Sequence, residues 1–398
     1  MRCQRGHRVQ IRPNNRQQSM FRRCIGVHRW AYNWGLERKK SAYEAEGKSP
    51  SRYDLQKEIV TMKRTTHPWL AEVPHTVPRC AMLSLERAYT NFFRRVKNGE
   101  AEKGFPRFKS RRTARKVFHL EAGKVRISED CKSIRVPKAG WVRSTKRLRF
   151  EGKLLGTVAI SEEAGRWYAS LNIGLEMPDP PDRSGDPSVG IDVGLLRLMT
   201  LSDGTQYQNP KATHELEKLL ARAQRQLSRR QKDSNRWKRA KRRVQRIHKR
   251  IRDTRVNAAH QATAEIARQY GLVAMEDLNV KGMVQSRALA KAISDANFNR
   301  LRGQLAYKTA WRGSELRLVD RWFPSSKLCS SCGCINDGLT LSDRVWTCDC
   351  GAVHDRDANA AKNILAVALR MADESAATGR GGIGGSTLPV KRQAGSTG

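Results

Sequence analysis

Residues 188–208 read SVGIDVGLLRLMTLSDGTQYQ, and their patterning sets the fold of the C-terminal half. The nearly all-apolar run VGIDV (189–193) gives way to Gly194, a second apolar run, an Asp-Gly pair at 203–204 and a third short run. An apolar run bounded by turn residues is a buried strand, and Asp-Gly between two such runs closes a hairpin. The spacing therefore predicts strand, turn, strand, turn, strand, with the first strand central in a sheet. Asp192 interrupts that strand. A carboxylate among apolar neighbours is costly unless a cation or hydrogen bonds compensate it.

Outward from this stretch the same anomaly recurs. LVAMEDL (272–278) reads as a second buried strand, and it ends at Glu276. A helix predicted over 357–372, DANAAKNILAVALRMA, opens on Asp357, where the helix dipole favours an anion. Taken singly, Asp357 reads as a helix cap and Glu276 as a partner for a nearby Arg. Taken together, in strand–strand–helix order, the three acids fit a metal-dependent phosphodiesterase. Mg²⁺ takes carboxylate ligands, and two such ions about 4 Å apart activate a water and stabilise a leaving 3′ oxygen. Two catalytic Mg²⁺ ions on Asp192, Glu276 and Asp357 are expected, with Asp192 bridging them.

Between the strands, residues 213–269 carry the longest helical pattern. Trp237, Ala240, Val244, Ile247 and Ile251 repeat at three and four, the mark of a coiled-coil seam. KDSN (232–235) is expected to turn the chain into a basic helical hairpin, and 16 Lys or Arg fall within 222–255. A helix over 291–312 and a strand over 315–323, ELRLVDRWF, complete the prediction up to the cysteines.

Five of the nine cysteines crowd together: Cys329, Cys332, Cys334, Cys348 and Cys350. Cys329 with Cys332 and Cys348 with Cys350 form two tight pairs, the donor set of a tetrahedral zinc site. Gly333 and Gly351 follow the pairs and let the backbone turn sharply. Cys334 competes for a ligand position and is read as a bystander. Four thiolates leave no open coordination position, so the expected Zn²⁺ is structural.

The N-terminal half is organised differently. A strand is expected over 7–13, then helices over 15–47, 53–64 and 76–98, and a basic connector over 103–116. From about 117 to 178, alternating apolar and polar residues predict a small antiparallel β-barrel or sandwich. Trp30, Tyr32 and Trp34 on the first helix read as core, with base stacking as the other use of such rings. The 77 Lys and Arg against 38 Asp and Glu leave a net charge of +39, which calls for a polyanionic partner over a large surface. No apolar run approaches the roughly 20 residues of a membrane span, and the first residues lack the apolar core of a signal peptide. No membrane partner is therefore expected, and the chain is expected to be soluble and intracellular.

The segments GIDVGLLRLMTLSDG, VAMEDLNVKGM, SSKLCSSCG and TCDCGAVHDRDANAAKNIL together resemble the TnpB family, the transposon-encoded RNA-guided nucleases related to type V CRISPR effectors. RWAYNWGL and KGFPRFKSRR match the same family, so the resemblance runs from residue 1 to about 370. It implies an α/β multidomain fold: an RNase H-like (RuvC-type) nuclease domain over 186–328 and 352–372, with the helical hairpin 213–269 and a zinc knuckle at 329–351. It further implies a β-barrel wedge domain over 1–14 and 103–180 and a helical recognition lobe over 15–102; beyond the resemblance, the Gly/Ser-rich tail over 373–398 is expected to be disordered. The implied partners are a guide RNA from the transposon end and double-stranded target DNA cut beside a short flanking motif, in a prokaryotic cytoplasm at the nucleoid. The family's acids map onto Asp192, Glu276 and Asp357, and its zinc cysteines onto Cys329, Cys332, Cys348 and Cys350. Asp355 is the alternative third acid. Asp357 is preferred because the family's acid stands two residues before an Asn, here Asn359. A nuclease-inactive RNA-guided repressor would have lost acids that this chain keeps. A strand-transfer transposase would need a His-hydrophobic-His pair, which the sequence lacks.

Overall fold

Strand β1 (Arg2–Arg12) stops one residue short of Pro13, which has no N–H to give a ladder. It is longer than the predicted 7–13 because the polar stretch before it also pairs with a partner strand, Cys3 opposite Leu175 and Ile11 opposite Trp167. The computed structural model describes residues 2–285, 289–340, 342–378 and 391–392, in two units, Met1–Pro178 and Asp179–Gly398. In the first unit β1 is followed by helices α1 (Asn15–Glu46), α2 (Arg52–Arg64) and α3 (Thr76–Lys97). Asn14 and Ser51 cap α1 and α2, each through a reciprocal bond with the residue three places on. After the irregular connector come β2 (Val117–Glu121), β3 (Arg126–Ile127), β4 (Ser133–Val136), β5 (Gly140–Ser144), β6 (Lys153–Leu154), β7 (Thr157–Glu163) and β8 (Arg166–Glu176). All eight strands join one antiparallel sheet, in the order β2-β7-β8-β1-β5-β4-β3 with β6 on β8.

Helices and sheet of this unit share one core. Phe118 of β2 and Ile134 of β4, five strands apart in the sheet order, belong to the same apolar cluster as Phe21, Leu36, Met82 and Leu85 of the helices. Tyr32 is buried in it, with the Lys109 ammonium 3.4 Å from its ring centroid. Trp30 and Trp34 pack on its edge, and Trp30 meets Trp69 edge to face at 4.9 Å. These three aromatics serve packing.

The second unit is built on β9 (Ser188–Asp192), β10 (Arg197–Leu201) and β11 (Gln206–Gln208), as the opening stretch predicted. Helices α4 (Ala212–Ser228) and α5 (Asn235–Gln269) form the basic hairpin, with Val244, Ile247 and Ile251 against Leu216, Leu220 and Leu227. Then follow β12 (Leu272–Glu276), α6 (Val280–Met283), α7 (Ala290–Ala296), α8 (Phe298–Arg312) and β13 (Glu315–Val319). The sheet order is β11-β10-β9-β12-β13, with β9, β12 and β13 parallel and β10 antiparallel to both of its neighbours, β9 and β11. This is the RNase H-like arrangement, and β9 is its central strand.

Two predicted elements are corrected. The helix over 291–312 is broken at Asn297, whose left-handed backbone (φ 58°) closes α7 with a bond from its N–H to the Ile293 carbonyl. Asn tolerates that conformation better than most residues. The strand over 315–323 ends at Val319, because Asp320 accepts a bond from the Trp322 N–H at 2.8 Å and turns the chain.

Both faces of this sheet are covered. Val189, Ile191, Val273 and Met275 pack against α5 and α8 through Ile266, Leu301 and Leu305. Ala274 and Val319 pack against Ile364 and Ala368 of α9 (Arg356–Thr378). Before α9 lie the short strands β14 (Cys334–Ile335), β15 (Val345–Thr347) and β16 (Val353–Asp355). The disordered tail expected over 373–398 is corrected at its start, where α9 continues to Thr378; from 379 on it lies outside the described residues, apart from 391–392. Among the described residues no helix is long and apolar enough to cross a membrane.

Candidate active site and metal centre

Alternation along β9 decides where Asp192 points. Val189 and Ile191 face α5 and α8, so Gly190 and Asp192 face α9. Gly190 lies so close to α9 that a Cβ there would come within 2.0 Å of the Ala361 carbonyl oxygen. One helical turn before Ala361 is Asp357, and two residues along the strand from Gly190 is Asp192; the contact at Gly190 thus brings the two acids toward each other. On β12 the register Ala274↔Gly190 and Met275↔Ile191, carried one residue on, sets Glu276 beside Asp192. Asp192 and Glu276 are the last residues of adjacent parallel strands, the end at which open α/β sheets hold their ligands.

The charges register this convergence. Burial first, then the charge of Asp357, then that of Glu276, push the Asp192 carboxyl up to about 8, against a smaller pull from Arg356 and the Val193 N–H. Burial also raises Glu276, opposed by a hydrogen bond from the Ser325 hydroxyl. Asp192 is the hub: both other acids act on it. Asp357 carries long contacts to Arg197 (3.9 Å) and Arg344 (3.8 Å).

Asp355 does something else. Its Oδ1 accepts the Ala358 N–H at 3.0 Å, capping α9, and its other oxygen takes Arg197 at 2.9 Å. Burial works to raise its pKa, and these two donors outweigh burial and hold it below the usual carboxylate range.

The four thiols of Cys329, Cys332, Cys348 and Cys350 all lie within 4.8 Å of one another. Among the described residues they are the one group of potential metal ligands gathered that tightly, and Asp192, Glu276 and Asp357 do not form another. Cys332 Sγ is 3.5 Å from Cys348 Sγ, and Cys329 Sγ is 3.8 Å from Cys350 Sγ. A tetrahedron with Zn–S near 2.3 Å has edges of about 3.8 Å, so the cluster fits a metal ion such as zinc. Gly333 (φ 75°) and Gly351 (φ 84°) make the two turns. Burial opposes ionisation of Cys348, yet the Cys350 N–H and the neighbouring thiols bring it down to about 7. Cys334 stands outside the thiol group, and its backbone N–H donates to Cys332.

Several contacts of the site escaped the sequence reading, which used Asn359 only to choose between Asp355 and Asp357. His354 Nε2 lies 3.0 Å from Cys329 Sγ, with its ring against Trp346. Asn359 accepts the Ser330 N–H at 2.9 Å and donates to the Leu328 carbonyl at 2.7 Å. Asn363 donates to the carbonyls of Ser325 (2.8 Å) and Leu328 (2.6 Å). The two buried asparagines thus tie α9 both to the cysteine loop and to the serine that holds Glu276. Their signal in the sequence is faint: two polar residues four apart on an otherwise apolar helix face, which must find partners once buried.

A protein of Streptomyces pristinaespiralis named "Putative RNA-guided DNA endonuclease" is 36% identical over 397 residues, 95% of each chain. The chain belongs to the TnpB family. A second relative, "Putative RNA-guided DNA endonuclease InsQ" of Escherichia coli (strain K12), is 32% identical over 90% of this chain and 91% of its own. Family models described as "Probable transposase" and "Cas12f1-like, TNB domain" match residues 172–287 and 298–364. A "Helix-turn-helix domain" model matches residues 1–48, although in this TnpB-family chain that stretch is β1 and the single helix α1. A solved structure described as "Structure of the mini-RNA-guided endonuclease CRISPR-Cas_phi3" aligns over 92% of each chain at 8% identity with a TM-score of 0.48, too loose a likeness to assign anything to this chain.

Proposed function

We propose that the chain is an RNA-guided DNA endonuclease of RuvC type, in which Asp192, Glu276 and Asp357 hold Mg²⁺ and Cys329, Cys332, Cys348 and Cys350 hold a structural Zn²⁺. The observation that carries the reading is the convergence on Asp192: a half-buried carboxyl pressed by two further acids at the carboxyl end of a central sheet. Such a cluster keeps its charge at neutral pH only with cationic compensation, and oxygen donors suit a hard divalent ion. When bound, Mg²⁺ supplies an activated water and stabilises the leaving 3′ oxygen. The residues themselves do the positioning. The charges of both other acids act on Asp192, the Ser325 hydroxyl holds the Glu276 carboxylate, and Asp355 with Arg197 fixes the first turn of α9, on which Asp357 stands.

The polyanions that answer the +39 charge are, on this reading, a guide RNA from the transposon end and a double-stranded DNA target cut beside a short flanking motif. The unit Met1–Pro178 would supply the recognition part (15–102) and all but the last two residues of the wedge (1–14 and 103–180), with the connector 103–116 and the hairpin 222–255 on phosphates. The test pairs two readouts. Wild-type protein should copurify with a defined RNA and cut matching DNA only with Mg²⁺ present; Asp192→Ala should keep the RNA and lose cutting. Normal cutting by Asp192→Ala would overturn the site, and the absence of any bound RNA would overturn the guide.

A further inference from the structure

Trp322 is 85% exposed, more than any other large apolar side chain among the described residues. A single exposed apolar side chain is ordinary, but this one offers a large flat aromatic face on the loop that runs between the two anchors of Glu276, and such a face can stack on a base. Its position is fixed at both ends. Val319, where β13 stops, is register partner to Glu276, and its carbonyl accepts the Asp277 N–H at 2.9 Å. Ser325, where the loop returns, donates its hydroxyl to the Glu276 carboxylate. Trp322 is the middle residue of the five that join these anchors. Three residues reach about 11 Å at most, so the Trp322 backbone lies within that distance of both anchors of Glu276.

The loop is built to present that ring. Asp320 accepts the Trp322 N–H at 2.8 Å and the Phe323 N–H, through its carbonyl, at 3.2 Å. Arg321 is tied to Asp277 at 2.9 Å. Phe323 turns inward against Val319 and Ile364, which leaves Trp322 outward. Among the described residues no ring contact or cation stack occupies Trp322. Arg197 and Arg344 flank Asp357 nearby, so a strand lying over the carboxylates meets cations as well as acids.

We infer that Trp322 is a stacking platform for an unpaired nucleobase of a single nucleic-acid strand fed toward Asp192, Glu276 and Asp357. An aromatic face takes any base, which suits a site that must accept many sequences. A paired base is already stacked within its duplex, so the platform selects unpaired strand. The inference takes its meaning from the nuclease reading, but its test requires no cutting.

The full-length chain, without added magnesium, is irradiated with short strands bearing 5-iodouracil, as single-stranded DNA, single-stranded RNA and duplex DNA, and the crosslinked peptide is identified by mass spectrometry. Crosslinks from single strands should map to Trp322, with the DNA and RNA arms telling which strand supplies the base. In parallel, Trp322→Ala should weaken binding of an intact single strand by about 5- to 150-fold, the range for loss of one base–aromatic stack. Binding of an abasic strand of equal length, and the salt dependence of both, should be unchanged, and Trp322→Phe should recover most of the loss. Crosslinks mapping elsewhere, equal losses on intact and abasic strands, or a loss confined to duplex would each overturn the inference. Should Trp322→Ala fold poorly, the wild-type crosslink decides alone. A chain that stacks at Trp322 but never cuts would sink the nuclease reading and leave this one standing.

Discussion

At the scale of single residues, Asp192 makes the sharpest demand on its surroundings. Its carboxyl is raised to about 8, where an unfolded Asp titrates near 4. Between those values the folded chain binds a proton that the unfolded chain has released, so folding stability falls as pH rises through that window. Below pH 4 both states are protonated and the penalty is absent. In buffer without magnesium but with zinc retained, wild type should lose on the order of 1–3 kcal/mol between pH 5 and 8 from this group, after allowance for solvent screening. Asp192→Asn should flatten that slope and melt higher than wild type at pH 8, while cutting nothing. Parallel melting curves that track each other across the range would refute the placement of this charge. The neighbouring acids divide differently. Asp355→Ala removes the α9 cap and should cost about 0.5–2 kcal/mol in unfolding experiments, lowering cutting without abolishing it. Asp357→Ala should abolish cutting at little cost in stability. The reverse pattern would make Asp355 the third acid.

At the scale of elements, α9 joins everything the site needs. Its packing on β9 leaves no room at Gly190, where a Cβ would meet backbone, the Ala361 carbonyl oxygen at 2.0 Å and the Leu365 nitrogen at 2.8 Å, neither of which can swing aside. Gly190→Ala should therefore cost at least about 1–3 kcal/mol by overpacking and lift Asp357 away from Asp192, so that cutting falls further than nucleic-acid binding. Urea unfolding and a cutting assay on the same preparation check both halves. The asparagine clasp makes a separate claim. Asn363→Ala strips donors from the Ser325 and Leu328 carbonyls, frees the serine that orients Glu276, and should lower kcat about tenfold with zinc content unchanged. Unaltered kcat would mean that Ser325 needs no such support. The strands carrying the acids were legible in the sequence because an Asp inside VGIDV is a local contradiction that only a site resolves. Ser325 was not legible: its bond to Glu276 spans 49 residues and no local pattern announces it. The break at Asn297 and the early end of β13 were hidden for a related reason, since one left-handed Asn and one side-chain turn overrode a continuous apolar pattern.

At the scale of the whole molecule, the excess of cations has to be explained by what it binds, because it works against the folded state when bare. The basic hairpin shows this locally. Arg230, Arg236, Arg239 and Arg243 line one cleft of about 430 Å³ together with Gln226 and Ala240, and no acid is among the described residues lining it. Four guanidiniums held along one cleft repel each other, and a phosphate backbone lying there would turn that repulsion into attraction while releasing counterions. Each phosphate neutralised contributes about 0.7–0.9 to the slope of log K against log salt, so replacing all four arginines by Gln should reduce that slope by about 3. The same variant, free of nucleic acid, should melt no lower than wild type and gain stability most at low salt, where the repulsion is least screened. Binding isotherms from 50 to 200 mM salt and melting curves at both ends supply the two measurements. A slope unchanged by the fourfold replacement would take the hairpin off the nucleic acid, and a large loss of stability in the free protein would mean that these arginines hold the fold together instead of waiting for a polyanion.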